Sequence, residues 1–239
     1  MTWTAIDLIG LENLMLFMYD DPDGLHRLMA FLRDDHLAFV DWLERENLLS
    51  PNNENDYIGS GSFGYCTDLP QAGRQVGAPV RARDLWVLIE SQETSGVGPA
   101  QYGEFVFPYH EAMARRFGKV YYGCCEAVDG RWEYLRKFPN LKRISISPWA
   151  NEEALAERLA HGRYVYSRKP APARISTQAF DEEAIRADLR KTAGLIRKHD
   201  LIAEFSMKDV HTLSGEPQRL PRWVQLAREE IGESWGVGA

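Results

Sequence analysis

The chain has 239 residues, enough for one large domain or two small ones with a buried core. Hydrophobic residues make up 44% and charged residues 26%, a globular balance that argues against extensive disorder. The net charge of −7 argues against a general nucleic-acid or anionic-membrane surface. No apolar run reaches the ~18–20 residues of a membrane span, and MTWTAIDLIG lacks the basic start of a signal peptide, so a cytoplasmic protein is expected.

The first segment, 1–49, reads as helical. Asp21-Pro22-Asp23 is a start signal, with Asp as N-cap and Pro at the first helical position. Leu25, Leu28, Met29, Leu32, Val40 and Leu43 follow at mostly helical spacing. Residues 50–81, rich in Gly, Pro and Asn, read as a long loop or insert with a short hairpin near Tyr57–Ser60. From 82 to 239 the pattern alternates. Strands are predicted at 85–90, 119–124, 143–147, 164–167 and 201–207. Helices are predicted near 101–117, 130–138, 151–161, 181–199 and 217–231. Asn151 caps one helix, which Gly162 stops; Phe180 and Ile185 form a staple at the start of another.

Strands alternating with helices imply βαβ units, hence a parallel sheet with its working loops at the strand C-terminal ends. The sequence has no GxGxxG and no Gly-rich loop with Lys-Ser/Thr, which disfavours a dinucleotide or nucleoside-triphosphate site. The fold class expected is α/β, of the TIM (β/α)8-barrel type. With about five parallel strands the barrel is incomplete, and it forms one structural domain with the N-terminal helices.

Every strand runs into polar residues: Glu90-Ser91-Gln92-Glu93, Cys124-Cys125-Glu126, Ser147-Pro148-Trp149, Arg168-Lys169 and Lys208-Asp209. Period two places Ala203, Phe205 and Met207 toward covering helices, and Glu204, Ser206 and Lys208 toward the barrel axis. A carboxylate there requires a cation, a metal or a proton, so Glu204 is either an ion-pair partner of Lys169 or Lys208 or a working group. Three cysteines, Cys66, Cys124 and Cys125, suggest reduced thiols rather than a disulfide framework. Strand alternation sends the side chains of Cys124 and Cys125 to opposite faces. His110 reads as a capping or surface residue, and Arg115-Arg116 and Arg186-Arg190-Lys191 as solvated helix faces. His211, in the last loop, is a better candidate for function, and Trp149 is a candidate pocket wall.

Several stretches resemble the uroporphyrinogen decarboxylase superfamily. They are Glu90-Ser91-Gln92-Glu93, Gly98-Pro99, Glu104-Phe105-Val106-Phe107-Pro108-Tyr109, Tyr121-Tyr122-Gly123-Cys124-Cys125-Glu126, Ser145-Ile146-Ser147-Pro148-Trp149, Lys169-Pro170-Ala171-Pro172-Ala173 and Lys208-Asp209-Val210-His211-Thr212. The resemblance runs from about residue 8 onward and implies an uncharacterised branch that begins after the first three barrel strands. That superfamily includes the haem-pathway decarboxylase and cobalamin-dependent methyltransferases. The resemblance therefore implies methyl transfer involving a corrinoid and a thiol, with porphyrinogen-type decarboxylation as the alternative. A non-catalytic partial barrel needing a partner chain is a third reading. The resemblance also implies zinc on Cys124 and Cys125, while the polar strand ends themselves nominate Glu90, Glu126, Glu204 and Lys208 as catalytic and Trp149, Lys169, Asp209 and His211 as substrate-binding. The histidine of the methyltransferases' His-x-Cys pair is absent here, where Tyr122 and Gly123 stand, so carboxylates would have to substitute. Partners implied are a small-molecule substrate and either a corrinoid protein or a second chain completing the barrel, with no nucleic acid and no membrane.

Overall fold

The computed structural model describes residues 1–70, 75, 77–160 and 163–235. Part of the 50–81 loop and the Gly162 stop lie outside the described residues. The remainder is an α/β fold with five parallel strands, and the chain divides into two compact units, Met1–Lys142 and Arg143–Ala239.

In the first unit, α1 (Thr2–Ile9), α2 (Leu11–Asp20) and α3 (Pro22–Arg45) form the helical segment. Gly10, at φ 83, makes the left-handed break between the first two. Asp21 caps α3 as expected, its carboxylate accepting the Gly24 N–H at 2.9 Å with Pro22 in the first turn. Leu14, Met18, Leu25, Met29 and Leu32 bury one face of this segment against Phe105 and Tyr109. The expected hairpin is β1 (Tyr57–Gly59) and β2 (Ser62–Phe63), paired antiparallel.

The strand β3 (Trp86–Ile89) begins the parallel sheet. An edge strand leaves backbone groups unpaired. Here Asn52 covers one such pair, since its amide donates to Trp86 O at 3.0 Å and accepts from Trp86 N at 2.9 Å. The single helix expected near 101–117 is two helices, α4 (Pro99–Phe105) and α5 (Phe107–Ala114). The break falls at Val106, because Pro108 has no N–H to continue the ladder and its ring opposes the preceding turn. Then come β4 (Lys119–Tyr122), in register with β3 from Trp86↔Lys119 to Ile89↔Tyr122, and the short α6 (Trp132–Leu135).

The second unit takes β5 (Leu141–Ile146) from Arg143, then α7 (Glu152–Leu159), β6 (Val165–Arg168), the one-turn α8 (Ala173–Ser176), α9 (Glu182–Lys198), β7 (Ile202–Phe205) and α10 (Arg219–Trp235). The strand order is β3-β4-β5-β6-β7. Asn151 caps α7 and Asp181 caps α9, each accepting a backbone N–H at 3.0 Å. Phe205 and Met207 pack on Ile175, Ile185, Leu189, Trp223 and Leu226, the helix-facing side that period two assigned them.

Arg190 and Lys191 lie on an exposed helix face, as expected, while Arg186 is only partly exposed. Arg186 and Arg190 also bridge α9 to α10 by gripping Glu230, at 2.5 and 2.7 Å, and Arg186 pairs with Glu229. Glu230 is buried, so two guanidiniums supply the charge that its desolvation demands. His110, by contrast, is not a capping or surface residue. It lies on the inner face of α5 and is 2% exposed.

Candidate functional site

Polar side chains gather at the strand C-terminal ends in each unit. In the first, the centre is Ser91, the second residue after β3. Its N–H donates to Glu126 Oε1 at 3.0 Å, and its hydroxyl meets the Tyr122 hydroxyl at 2.9 Å. Arg131 Nη1 donates to the same hydroxyl at 2.7 Å. Tyr102 extends the chain by donating to Tyr122 at 2.8 Å. The Arg131 guanidinium lies 4.6 Å from the Tyr102 ring centre and also binds Thr94 O. Ser91, Tyr102, Tyr122, Glu126 and Arg131 are all buried, so this is a satisfied interior network. Burial raises the pKa of both tyrosines, keeping them neutral hydrogen-bonding groups.

Glu126 was expected to be catalytic. Its two oxygens are instead committed to backbone, Oε1 to Ser91 N and Oε2 to Cys124 N at 2.8 Å. That carboxylate ties the end of β3 to the end of β4. Glu90 is different. It is partly exposed, accepts from Gln92 N at 3.1 Å, and has its pKa raised, first by burial and then by the nearby negative charges of Glu93 and Glu126. It is the ionisable group of this cluster best suited to exchange protons.

Cys124 and Cys125 correct the alternation argument. β4 ends at Tyr122, Gly123 takes φ 97, and the chain bends, so strand alternation no longer applies. The two sulfurs lie 3.7 Å apart on the same side. Zinc needs three or four ligands. Among the described residues no three His, Cys, Asp or Glu side chains gather to hold a metal, and the adjacent Glu126 carboxylate is already committed. The residues present do not fit the expected zinc site.

In the second unit positions on one sheet face of β5, β6 and β7 line up. The register pairs Ser145 with Ser167 and Ser167 with Glu204. Ser167 Oγ donates to Glu204 Oε1 at 2.5 Å. Arg143 Nε is 3.5 Å and Lys169 Nζ 4.0 Å from that same oxygen. Arg143 and Lys169 are buried, Lys169 wholly so, while Glu204 keeps about a quarter of its side chain exposed, at 28%. Ser147, next along the same face of β5, has a buried hydroxyl with no hydrogen-bond partner among the described residues. The Glu204–Lys169 pairing anticipated as one possibility is thus present, joined by Arg143, which sequence reasoning missed. Its signal was available: Arg143, Ser145 and Ser147 alternate along one face of a strand, and a buried cation at its start demands an anionic neighbour.

The other predicted residues are dispersed within this unit. Lys208 pairs with Asp209 at 3.0 Å, and Asp209 takes a left-handed φ of 57. His211 is exposed and lines an open groove of about 470 Å³ with Val210, Thr212, Leu213 and Leu220. Trp149 is 70% exposed. Arg168, adjacent to Lys169, faces the opposite way and pairs with Glu152 at 3.0 Å and Asp188 at 3.4 Å. Among the described residues no helix is long and apolar enough to cross a membrane.

Comparison with known proteins finds no matching family model, no matching curated protein and no matching solved structure.

Proposed function

We propose that this chain is a partial (β/α)-barrel of the uroporphyrinogen decarboxylase superfamily type, acting without a metal on a carboxylate-bearing substrate at the C-terminal ends of β5, β6 and β7. The observation that carries the reading is the fully buried Lys169, set with Arg143 around the Glu204 carboxylate. Two buried cations beside one partly exposed carboxylate form a site that exchanges an internal anion for a substrate carboxylate at low desolvation cost. Arg143 offers a planar fork and Lys169 a point charge, and Glu204 is placed to accept or return a proton. Decarboxylation then breaks the bond between carbon and carboxylate. The electron pair stays on the substrate carbon until a proton arrives, and the paired cations stabilise the developing charge. On this reading a second polypeptide supplies the remaining barrel strands.

The test is carbon dioxide release from uroporphyrinogen and smaller polycarboxylates by the purified protein. Turnover that falls about 10- to 100-fold in Lys169→Met, the loss of one charge-assisted contact, supports the proposal. Absence of both turnover and saturable binding across the panel overturns it. The 3.7 Å sulfur pair favours a second reading, thiol methyl transfer linked to a corrinoid. Methyl transfer from methylcobalamin to a thiol, lost in Cys124→Ser, would move the assignment there.

A further inference from the structure

Four arginines meet at the end of β3 and β4 opposite to Glu90 and Glu126. Arg81 and Arg83 lie in the segment leading into β3, and Arg115 and Arg116 follow α5 and lead into β4. Because β3 and β4 are parallel neighbours, their lead-in segments run side by side. Gly118 makes the approach possible: a Cβ there would lie 2.2 Å from Arg83 O, and its N–H donates to Leu85 O at 3.0 Å. With Glu44, the four arginines line an open groove of about 370 Å³.

The charges are unevenly matched. Arg115 pairs with Glu111 at 2.7 Å, and Arg116 pairs with Asp41 and reaches Glu44 at 3.9 Å. Arg81 Nη1 donates to a backbone carbonyl, Glu44 O, at 2.7 Å. Neither the Arg81 nor the Arg83 guanidinium has a carboxylate partner among the described residues. The Glu44 carboxylate meanwhile accepts the Ala82 N–H at 2.7 Å, so it is held in the groove by the backbone. A cluster of this kind stands out on a chain whose net charge is −7.

We propose that this groove binds a small phosphate-bearing anion, a pyrophosphate or the phosphate tail of an ester, through Arg81 and Arg83. Guanidinium forks match phosphate oxygens in bidentate geometry, and a multiply charged anion satisfies several forks at once. Arg115 and Arg116, already oriented by their acids, complete the positive wall. Glu44 sets the affinity from the other direction, because its charge opposes any anion entering beside it. The site is independent of the Lys169–Glu204 reading, since all its residues lie in the first unit.

Isothermal titration of the full chain with pyrophosphate, ADP and acetate tests the proposal. Pyrophosphate and ADP bind and acetate does not. Equal affinities assign recognition to the phosphates alone, whereas tighter ADP binding assigns an ester ligand; both support the groove. The R81Q/R83Q double variant, its fold checked by circular dichroism, weakens binding about tenfold or more. Glu44→Gln keeps the acceptor for the Ala82 N–H but removes the charge, and tightens binding about threefold or more. No binding of either phosphate compound at millimolar concentration overturns the proposal. So does binding that both variants leave unchanged.

Discussion

His110 makes the stability of the first unit depend on pH in a direction and size that can be worked out. The ring is buried in α5, its Nδ1 has no hydrogen-bond partner among the described residues, and its pKa is lowered to about 3. Burial is the main cause, followed by the positive charges of the Met1 amino group, Arg131 and His36. In the unfolded chain the same ring titrates near ~6.5. Between those two values the unfolded state binds a proton that the folded state refuses, so stability rises with pH across that window. The contribution is complete above the unfolded pKa and declines by about 1.4 kcal/mol per pH unit as the pH falls toward 3. By pH 5 about 2 kcal/mol is gone, a large share of the 5–15 kcal/mol typical of a folded domain. Urea unfolding of the native chain and of His110→Phe, at several pH values between 7 and 5, measures it. Phe keeps the ring volume and cannot titrate, and the carboxylates common to both proteins cancel in the difference. The gap between the two stabilities shifts by about 2 kcal/mol in favour of the variant on going to pH 5. Profiles that stay parallel to within about 0.5 kcal/mol refute the buried, neutral histidine.

Two further substitutions separate architecture from chemistry. Glu126→Ala strands two backbone N–H groups, those of Ser91 and Cys124, and lowers stability by roughly 2–5 kcal/mol in urea titration. Lost turnover with unchanged stability would instead return Glu126 to a catalytic role. Gly103→Ala places a methyl group 2.1–2.3 Å from three atoms of the Tyr134 side chain and costs about 1–3 kcal/mol, read as a lower Tm with the α4–α6 contact displaced.

Periodicity and capping were the legible part of the fold. Asp21, Asn151 and Asp181 announce their helices because a short acceptor side chain before an apolar repeat has few other uses. The five strands were legible as short apolar runs ending in polar residues. The break at Val106 was carried by Pro108, a residue whose constraint was present in the text but unused. What stayed hidden depends on which partner lies across space. His110 reads as surface until the helix face that it occupies is known, and the ion pairs of Arg186 and Arg190 appear only when α10 brings Glu230 to them. Glu90, three residues before Glu93, and Glu126, two residues after Cys124, look equivalent in sequence. They diverge because backbone donors converge on Glu126 alone at both oxygens. Cys124 and Cys125 obey strand alternation only while a strand continues, and the turn at Gly123 ends it. In the second unit Glu204 was legible from alternation and Lys169 from its place at a strand end, whereas Arg143 needed the register between neighbouring strands.

Ser91 lends its amide to Glu126, its hydroxyl to Tyr122 and Arg131, and its carbonyl to the Thr94 hydroxyl. Removing any one neighbour leaves a buried group stranded at a cost of roughly 1–3 kcal/mol, so the contacts yield together rather than in turn. The turn after β3 is thereby pinned at three points of one residue, and Glu90, its immediate neighbour, takes its position from that anchor.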